Sequence, residues 1–327
     1  MSDQGQTSDL EQLRKQVGDQ AHQIAILQRQ VDEVILSQRM GDIAHVDVVR
    51  FTGPSKAVET NPTAQDAGNP LVMSCHVYVP KDLDLARKHP LVVLVHGGVH
   101  GRHNANAIPI VRELVQQAYT VVVPDYRGSE GYGKAFWEAI DYGGREVDDA
   151  HAAREWALDA FDHLEPARVG IIGWSHGGLI TLFNVFNFPD DFAVAYAAVP
   201  VSDLIARMGY KGQAYSELFS APYHIGKTAE QDVAEYRRRS PSWQTDRYTG
   251  TPLLIHTTTN DEDVNVLEVE RLIQALTASG KFVTSKIYDN APGAHFFNRI
   301  DTRLARESRR EVWQFLAPHL QPERPVT

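Results

Sequence analysis

The pattern of apolar and polar positions divides the chain into two regions that meet near residue 40. Residues 1–40 contain no proline, are rich in glutamine and repeat apolar residues at heptad spacing. One seam position of this repeat holds Leu10, Val17, Ile24 and Val31. The other holds Leu13, Leu27 and Val34, with the polar Gln20 as its exception. Such a repeat predicts an amphipathic helix. A single helix cannot bury a stripe of this length alone, so it needs a surface to pack against.

Two arrangements of this helix satisfy that need. β-Branched residues at one seam position and leucine at the other favour a parallel two-stranded coiled coil, so residues 10–34 predict a homo-oligomer, a dimer or larger. The positions that flank the seam carry little complementary charge. In the alternative arrangement, the helix folds back onto the rest of its own chain as a lid. The sequence leaves both arrangements open.

From residue 41 onward, strand-like runs alternate with helical stretches. This alternation predicts an α/β fold in which a mostly parallel sheet of about eight strands is covered by helices on both faces. The predicted strands are 45–51, 72–79, 91–96, 120–125, 168–173, 193–199, 253–257 and 282–288. The predicted helices are 108–117, 145–160, 178–187, 266–280 and 302–319.

One segment interrupts this alternation. Residues 202–246 are rich in aromatic and charged side chains and contain proline, which predicts a helical insertion that supplies the wall of a pocket. The sequence therefore predicts two domains. The first is the heptad-patterned helix at residues 1–40, and the second is an α/β domain at residues 41–327 that carries the insertion.

Composition narrows the classes of partner. The formal net charge of −10 and the pI near 5.8 argue against a nucleic-acid-binding face, which would need clustered basic residues. The N-terminus lacks the layout of a signal peptide, and no apolar run approaches the ~18 residues of a membrane span. We therefore expect a soluble, cytoplasmic protein without nucleic-acid or membrane partners. The single cysteine, Cys75, is expected to be a small buried side chain in a strand.

The first motif that carries chemistry is Gly-Trp-Ser-His-Gly-Gly at residues 173–178. It follows a predicted buried strand and precedes a predicted helix, which is the setting of a nucleophile elbow. Such a turn projects the hydroxyl of Ser175 into the site, so Ser175 is the predicted nucleophile. Backbone N–H groups at the start of a helix favour negative charge, and the N–H of His176 is therefore the predicted donor to an oxyanion.

A serine hydroxyl needs a base within hydrogen-bond reach, and this type of fold supplies one in the chain order serine, acid, histidine. His295 follows the last predicted strand in a loop that contains glycine and proline, and it is the predicted base. The acid is expected after strand 253–257, where the loop offers Asp261, Glu262 and Asp263. Periodicity alone does not choose between Asp261 and Asp263.

A second glycine-rich loop, His-Gly-Gly-Val-His-Gly at residues 96–101 (the HGG loop), follows another predicted buried strand. Its Gly98 is the candidate for a second oxyanion donor through the backbone N–H, because glycine lets the backbone approach a substrate oxygen closely. The rival hypothesis is a metal site built from His96, His100 and His103. No carboxylate completes a familiar ligand spacing there, so the predicted site requires neither a metal nor a cofactor.

Together these motifs resemble the catalytic domain of the prolyl oligopeptidase family of serine peptidases, and the chain is also similar to dienelactone-hydrolase-like esterases. The resemblance covers about residues 91–319. It rests on the HGG loop, on residues 173–178, which resemble the family's GxSxGG motif, and on the terminal histidine, His295. Residues 124–133 also resemble the family's YRGSxGYG loop, and residues 261–264 resemble its DxxV motif. It implies an α/β-hydrolase fold, a catalytic triad of Ser175, Asp261 and His295, and an oxyanion hole formed by the Gly98 and His176 amides.

The resemblance also bears on the substrate. The large N-terminal β-propeller that screens peptides in these peptidases has no room in the roughly ninety residues before the HGG loop. This favours a carboxylic ester hydrolase, a carboxylesterase that acts on small esters through an acyl-enzyme. A serine peptidase or amidase acting on short peptides is the alternative. A non-catalytic oligomeric scaffold is a third hypothesis.

Overall fold

An eight-stranded sheet forms the centre of the computed structural model, which describes residues 3–55 and 70–326, with side chains from residue 9 onward. Residues 1–2, 56–69 and 327, which fall within the two predicted domains, lie outside the described residues. The strands are β1 (Ala44–Ser55), β2 (Pro70–Pro80), β3 (His89–Val95), β4 (Thr120–Asp125), β5 (Leu164–Trp174), β6 (Val194–Ala198), β7 (Leu253–Thr258) and β8 (Thr284–Tyr288).

The order of the strands across the sheet is β1-β2-β4-β3-β5-β6-β7-β8. Strand β2 pairs antiparallel with both β1 and β4, whereas every later pairing is parallel. The α/β fold with a mostly parallel sheet of about eight strands, predicted from the sequence, is thereby confirmed.

Helices cover both faces of the sheet. They are α1 (Asp3–Met40), α2 (Ile108–Gln116), α3 (Lys134–Trp137), α4 (Arg145–Ala160), α5 (His176–Asn187), α6 (Leu204–Tyr210), α7 (Gln213–Ser220), α8 (Val233–Arg238), α9 (Val266–Ala278) and α10 (Arg303–Leu320). Val93 of β3 packs in one core cluster with Leu179 of α5, whereas its neighbour Val92 packs in the other with Trp313 of α10. Successive strand residues point to opposite faces, so each face of the sheet carries its own core.

The carboxyl ends of the parallel strands place the predicted site residues at one edge of the sheet. In the register of the sheet, Val95 at the end of β3 lies beside Gly173 of β5. The loops that follow β3, β5, β7 and β8 carry the HGG loop, Ser175, Asp261 and His295. Because these strands run in the same direction, four segments that are distant in sequence meet at one edge.

Helix α1 lies against the α/β domain through one face of its C-terminal half. Leu36 and Met40 are fully buried, whereas residues 9–21 are exposed throughout. The apolar heptad residues of α1 remain between 48% and 67% exposed. The helix therefore does fold back onto its own domain, but the domain does not cover its apolar stripe.

Two further expectations concern burial and the membrane. Cys75 is buried in β2, and this burial raises the pKa of its thiol well above the ordinary value. Among the helices formed by residues 3–55 and 70–326, none combines the length and the apolar character needed to cross a bilayer.

Candidate active site

Ser175 occupies a tight turn between β5 and α5. Its backbone torsion angles are φ 58° and ψ −118°, a conformation that is strained for a residue with a side chain. A Cβ atom at Gly173 would lie 2.2 Å from the carbonyl oxygen of Gly177, and one at Gly177 would lie 2.2 Å from that of Val95. Only glycine at these two positions lets the strands and the helix approach this closely, and the turn then presents Ser175 to a cavity.

His295 and Asp261 form a hydrogen-bonded pair at the same cavity. The Nδ1 atom of His295 lies 2.8 Å from Oδ2 and 3.0 Å from Oδ1 of Asp261. The buried carboxylate of Asp261 also accepts the backbone N–H groups of Asp263 and Val264, both at 2.8 Å. These contacts fix the carboxylate, which in turn holds the Nδ1 proton of the imidazole and leaves Nε2 as the basic nitrogen.

Ser175 and His295 line one cavity together. Within the described parts of the chain, their side chains are not directly hydrogen-bonded to each other. Catalytic hydrogen bonds of this kind are often long in enzymes without substrate and tighten once the substrate binds. The structure therefore brings the three predicted triad residues to one place, with the Asp261–His295 contact already formed.

Asp263, the other acid that the sequence left open, lies on the opposite side of the imidazole. Its Oδ2 is 3.5 Å from Nε2 of His295, and its Oδ1 forms ion pairs with Arg207 at 3.2 Å and Lys211 at 2.6 Å. Burial acts to raise the pKa of Asp263, but Lys211 and Arg207 outweigh it and hold the pKa below the ordinary value. Asp263 is thus a charged group beside Nε2 of His295, and Asp261 is the residue that contacts Nδ1.

The cavity has a volume of about 490 Å³. Its apolar lining includes Leu94, Ile110, Trp174, Phe296 and Ile300. Its polar lining, apart from Ser175 and the histidines, includes Arg102, Asn104, Asn106, Glu130, Asp263 and Arg299. A cavity of this size suits a small-molecule or short peptide substrate.

The segment 202–246 does not supply the wall of this cavity, so that prediction is wrong. The wall comes mainly from residues 94–110 and 295–300, which follow β3 and β8. The segment forms helices α6 to α8, and its aromatic residues Phe219 and Tyr236 are buried in the core. Aromatic composition predicted a pocket here, but none of these rings lines the cavity, and Phe219 and Tyr236 pack in the core.

The HGG loop passes directly beside Ser175. A Cβ atom at Gly97 would lie 3.3 Å from the Cβ of Ser175, and Gly98 has a φ of +83°, which glycine adopts without strain. The hydroxyl of Tyr126 donates to the carbonyl oxygen of Gly98 at 3.0 Å and so helps to hold the loop. The N–H of His176 lies in the first turn of α5, where N–H groups have no partner inside the helix.

The three histidines of the rival metal hypothesis do not share a ligand position. His96, His100 and His103 each contact a different group. These groups are, in order, the hydroxyl of Ser129, the ring of Trp137 and the hydroxyl of Tyr78. The geometry thus gives each ring its own partner within the protein and provides no common point for an ion.

Residues 110–323 match the family model of the prolyl oligopeptidase family, and the matched region contains Ser175, Asp261 and His295. The chain belongs to this family. Among curated relatives, it is 30% identical over 222 residues to dipeptidyl peptidase 8 of Homo sapiens, covering 65% of this chain and 24% of that protein. It is 29% identical over 217 residues to the uncharacterized peptidase YuxL of Bacillus subtilis, covering 65% of this chain and 32% of that protein. The match spans about a quarter to a third of the length of these relatives.

Solved structures show the same α/β-hydrolase fold. An acylaminoacyl peptidase of Pyrococcus horikoshii aligns with a TM-score of 0.68 at 19% identity, over 86% of this chain and 43% of that chain. A puromycin-hydrolyzing peptidase of Mycobacterium tuberculosis aligns with a TM-score of 0.66 at 26% identity, over 82% of this chain and 39% of that chain. The relatives of this prolyl oligopeptidase family member are named as peptidases, which supports the peptidase alternative better than the carboxylesterase prediction. The carboxylesterase activity stays a prediction.

Sequence reasoning missed the contacts between α1 and this candidate site. Arg102 lines the cavity and is paired with Asp32 of α1 at 2.6 Å. Asp32 also accepts the N–H of Ala105 at 3.2 Å, and Arg29 donates to the carbonyl oxygen of Gly131 at 2.9 Å. The signal in the sequence is faint, because Arg29 and Asp32 are only two charged residues, three positions apart, outside the apolar stripe.

Proposed function

We propose that the chain is a serine peptidase that hydrolyses short peptides or aminoacyl amides through an acyl-enzyme on Ser175. One observation carries the proposal: the buried Asp261–His295 pair and the strained turn of Ser175 meet at one cavity. Membership of a peptidase family supports the peptide bond as the target. The cavity volume of about 490 Å³ supports a short substrate.

In this mechanism, the hydroxyl of Ser175 attacks the carbonyl carbon of the scissile bond while Nε2 of His295 takes the hydroxyl proton. Asp261 keeps the second ring proton on Nδ1 and stabilises the imidazolium that forms. His295 then gives its proton to the leaving amine, and the acyl group remains on Ser175. A water molecule, deprotonated by His295, releases the acyl group by the same steps in reverse order.

The tetrahedral intermediates carry a negative oxygen that needs donors. The backbone N–H groups of His176 and Gly98 fit this role, because one begins helix α5 and the other lies in the HGG loop beside Ser175. A single donor of this type typically contributes ~3 kcal/mol to transition-state stabilisation. Backbone donors are held by the fold, so they need no rearrangement when charge develops.

The cavity lining suggests the kind of substrate. The apolar side chains of Leu94, Ile110 and Trp174 favour an apolar residue next to the scissile bond. Arg102 and Glu130 supply charged groups on the same lining. We therefore expect faster hydrolysis of leucyl or phenylalanyl amides than of glycyl amides.

Hydrolysis of aminoacyl p-nitroanilides and of matched p-nitrophenyl esters tests the proposal. The wild-type chain is expected to hydrolyse the anilides, and Ser175→Ala is expected to reduce this hydrolysis by about a million-fold. Ester hydrolysis without anilide hydrolysis would overturn the peptidase proposal in favour of the carboxylesterase. If Ser175→Ala retained both activities, this serine would not be part of the mechanism.

A fluorophosphonate probe provides a second readout that does not depend on the choice of substrate. The wild-type chain is expected to be labelled and Ser175→Ala is not. Ser216→Ala is the matched control, because Ser216 lies in α7, outside the cavity lining, and its loss should leave labelling unchanged. A wild-type chain that the probe fails to label would support the non-catalytic scaffold instead.

A further inference from the structure

We propose that the apolar face of α1 binds the same face of a second copy of this chain and forms a parallel two-stranded coiled coil. This face, called the outer stripe below, consists of Leu10, Leu13, Val17, Ile24, Leu27, Val31 and Val34. The proposal concerns assembly and is independent of the peptidase activity.

Most of the outer stripe is exposed, although Ile24, Leu27 and Val31 also line an open groove together with Arg102, Asn104 and Asn106 of the chain's own domain. At 3.6 residues per turn, the residues that face the domain, such as Asp32, Leu36 and Met40, lie on roughly the opposite side of the helix from Leu27 and Val34. Among the described residues, those of the domain contact mainly one side of α1 and leave most of the outer stripe exposed.

None of the residues that the structure describes buries the N-terminal part of α1, residues 9–21. Residues 9–21 are exposed throughout, and Gly18 in their middle has no heavy atom within 4 Å of the position of a Cβ. Isolated helices shorter than about 12–15 residues are marginal in water, and glycine weakens them further. A helix with Leu10, Leu13 and Val17 facing solvent therefore requires a second surface.

The area available is sufficient for a dimer. The seven side chains of the outer stripe are 48–67% exposed. Covering that exposed part removes about 50 Å² from water for each side chain, or roughly 700 Å² of apolar surface for two helices. Homodimer interfaces are about 65% apolar, so the total surface buried, apolar and polar together, is about 1,100 Å². This exceeds the ~1,000 Å² expected of a specific interface.

Polar residues at the seam favour a second copy in parallel register. In such a dimer, Gln20 lies opposite Gln20 of the second copy, so the two side-chain amides can hydrogen-bond to each other, and a polar seam residue of this kind fixes register. Asp9 and Arg14, five positions apart, flank the seam where the two helices exchange ion pairs. The remaining positions that flank the seam hold only uncharged residues, so no like charges face each other. They are Gln16, Ala21, Gln23, Gln28, Gln30 and Ile35.

The polar face of α1 argues against a membrane as the occupant. Residues 10–34 hold three basic side chains, Arg14, Lys15 and Arg29, and four acidic ones, Glu11, Asp19, Asp32 and Glu33. Helices that bind anionic lipid surfaces carry an excess of lysine and arginine on the polar face. The slight acidic excess here fits a protein partner of the same composition.

Sedimentation equilibrium of the full chain at micromolar concentrations tests the proposal. The wild-type chain is expected at twice its monomer mass of 36.5 kDa. Leu27→Glu and Val17→Glu place charges in the seam and should each shift the chain to the monomer mass. The matched control is Leu267→Glu, because Leu267 on α9 is 61% exposed, as is Leu27, but lies outside the outer stripe. A wild-type monomer, or stripe variants that remain as dimeric as the control, would overturn the proposal.

A cysteine cross-link tests the parallel arrangement. Two Leu13→Cys chains in a parallel coil place their thiols face to face, whereas an antiparallel coil separates them by many residues. Asp19→Cys, on the outer surface of α1, is the control that should not cross-link, and Cys75 is buried and does not interfere. A dimer in which Leu13→Cys fails to form a disulfide would overturn the parallel coil. A wild-type monomer that sediments with phosphatidylcholine–phosphatidylglycerol vesicles would identify a membrane as the occupant instead.

Discussion

Asp32 of helix α1 and Arg102, the residue that follows the HGG loop, form an ion pair with 2.6 Å between carboxylate oxygen and guanidinium nitrogen. Arg102 is 8% exposed and lines the cavity that contains Ser175. Asp32 also accepts the N–H of Ala105, so one carboxylate contacts the segment on both sides of His103. Helix α1, which lies outside the region matched to the family, thus contacts the segment that directly follows the HGG loop.

Asp32→Asn is expected to lower kcat by about 10- to 100-fold, because small displacements of oxyanion donors cost this much in the transition state. KM should change far less, since Arg102 remains in the cavity lining. Steady-state kinetics on one aminoacyl p-nitroanilide measure both constants. Asp19→Asn, an exposed change on the same helix, is the control and should retain wild-type kcat. Equal kcat in the two variants would show that this ion pair does not position the loop.

Asp261→Asn is expected to lower kcat by about 10⁴-fold, because an amide at this position no longer keeps the His295 proton on Nδ1. Asp263→Asn should lower kcat by less than about 10-fold, because Asp263 faces Nε2 from 3.5 Å and is already paired with Lys211. The two variants are compared on the same p-nitroanilide. The reverse order of effects would assign the triad acid to Asp263.

Gly177→Ala is expected to destabilise the fold by about 1–3 kcal/mol or more, because the added methyl group would lie 2.2 Å from the carbonyl oxygen of Val95. Gly209→Ala is the matched control, since Gly209 is also helical and has no atom within 4 Å of a Cβ. Its replacement should be neutral or stabilising by up to about 1 kcal/mol. Urea unfolding curves give both values. Similar stabilities of the two variants would contradict the close approach of α5 to β3.

Glu146 makes stability depend on pH. Burial, assisted by the charge of Asp141, raises the pKa of its carboxyl from 4.5 to about 8. Between these two pH values the unfolded chain loses a proton that the folded chain keeps, so stability falls as pH rises, by about 1.4 kcal/mol per pH unit at most. Below pH 4.5 both states are protonated and this loss is absent.

Glu146→Gln imitates the protonated carboxyl at every pH and removes this dependence. The free energy of unfolding of the variant, minus that of the wild type, is therefore expected to increase by roughly 2–4 kcal/mol from pH 5 to pH 8. Urea unfolding of both proteins at the two pH values measures the difference, and the other titrating groups cancel. A difference that stays constant with pH would show that Glu146 is ionised in the folded protein.

The sequence alone determined the fold and which side chains were candidates for the site. Buried parallel strands are encoded as continuous apolar runs, so 120–125 was predicted with the bounds that the structure has for β4. The tight turn at Ser175 was also readable, because only glycine tolerates the contacts that surround residues 173 and 177. These signals are local: each depends on a residue and its near neighbours in the chain.

The tertiary structure decided what depends on the meeting of distant segments. It decided that Asp261 rather than Asp263 contacts Nδ1 of His295, because two carboxylates two residues apart look alike until the loop is folded. It placed the cavity wall after β3 and β8, since aromatic composition in 202–246 does not distinguish packing from binding. It also showed which face of α1 the domain covers. The heptad pattern revealed that an apolar stripe existed, but its direction relative to the domain is set by long-range pairs such as Asp32–Arg102, which no local pattern encodes.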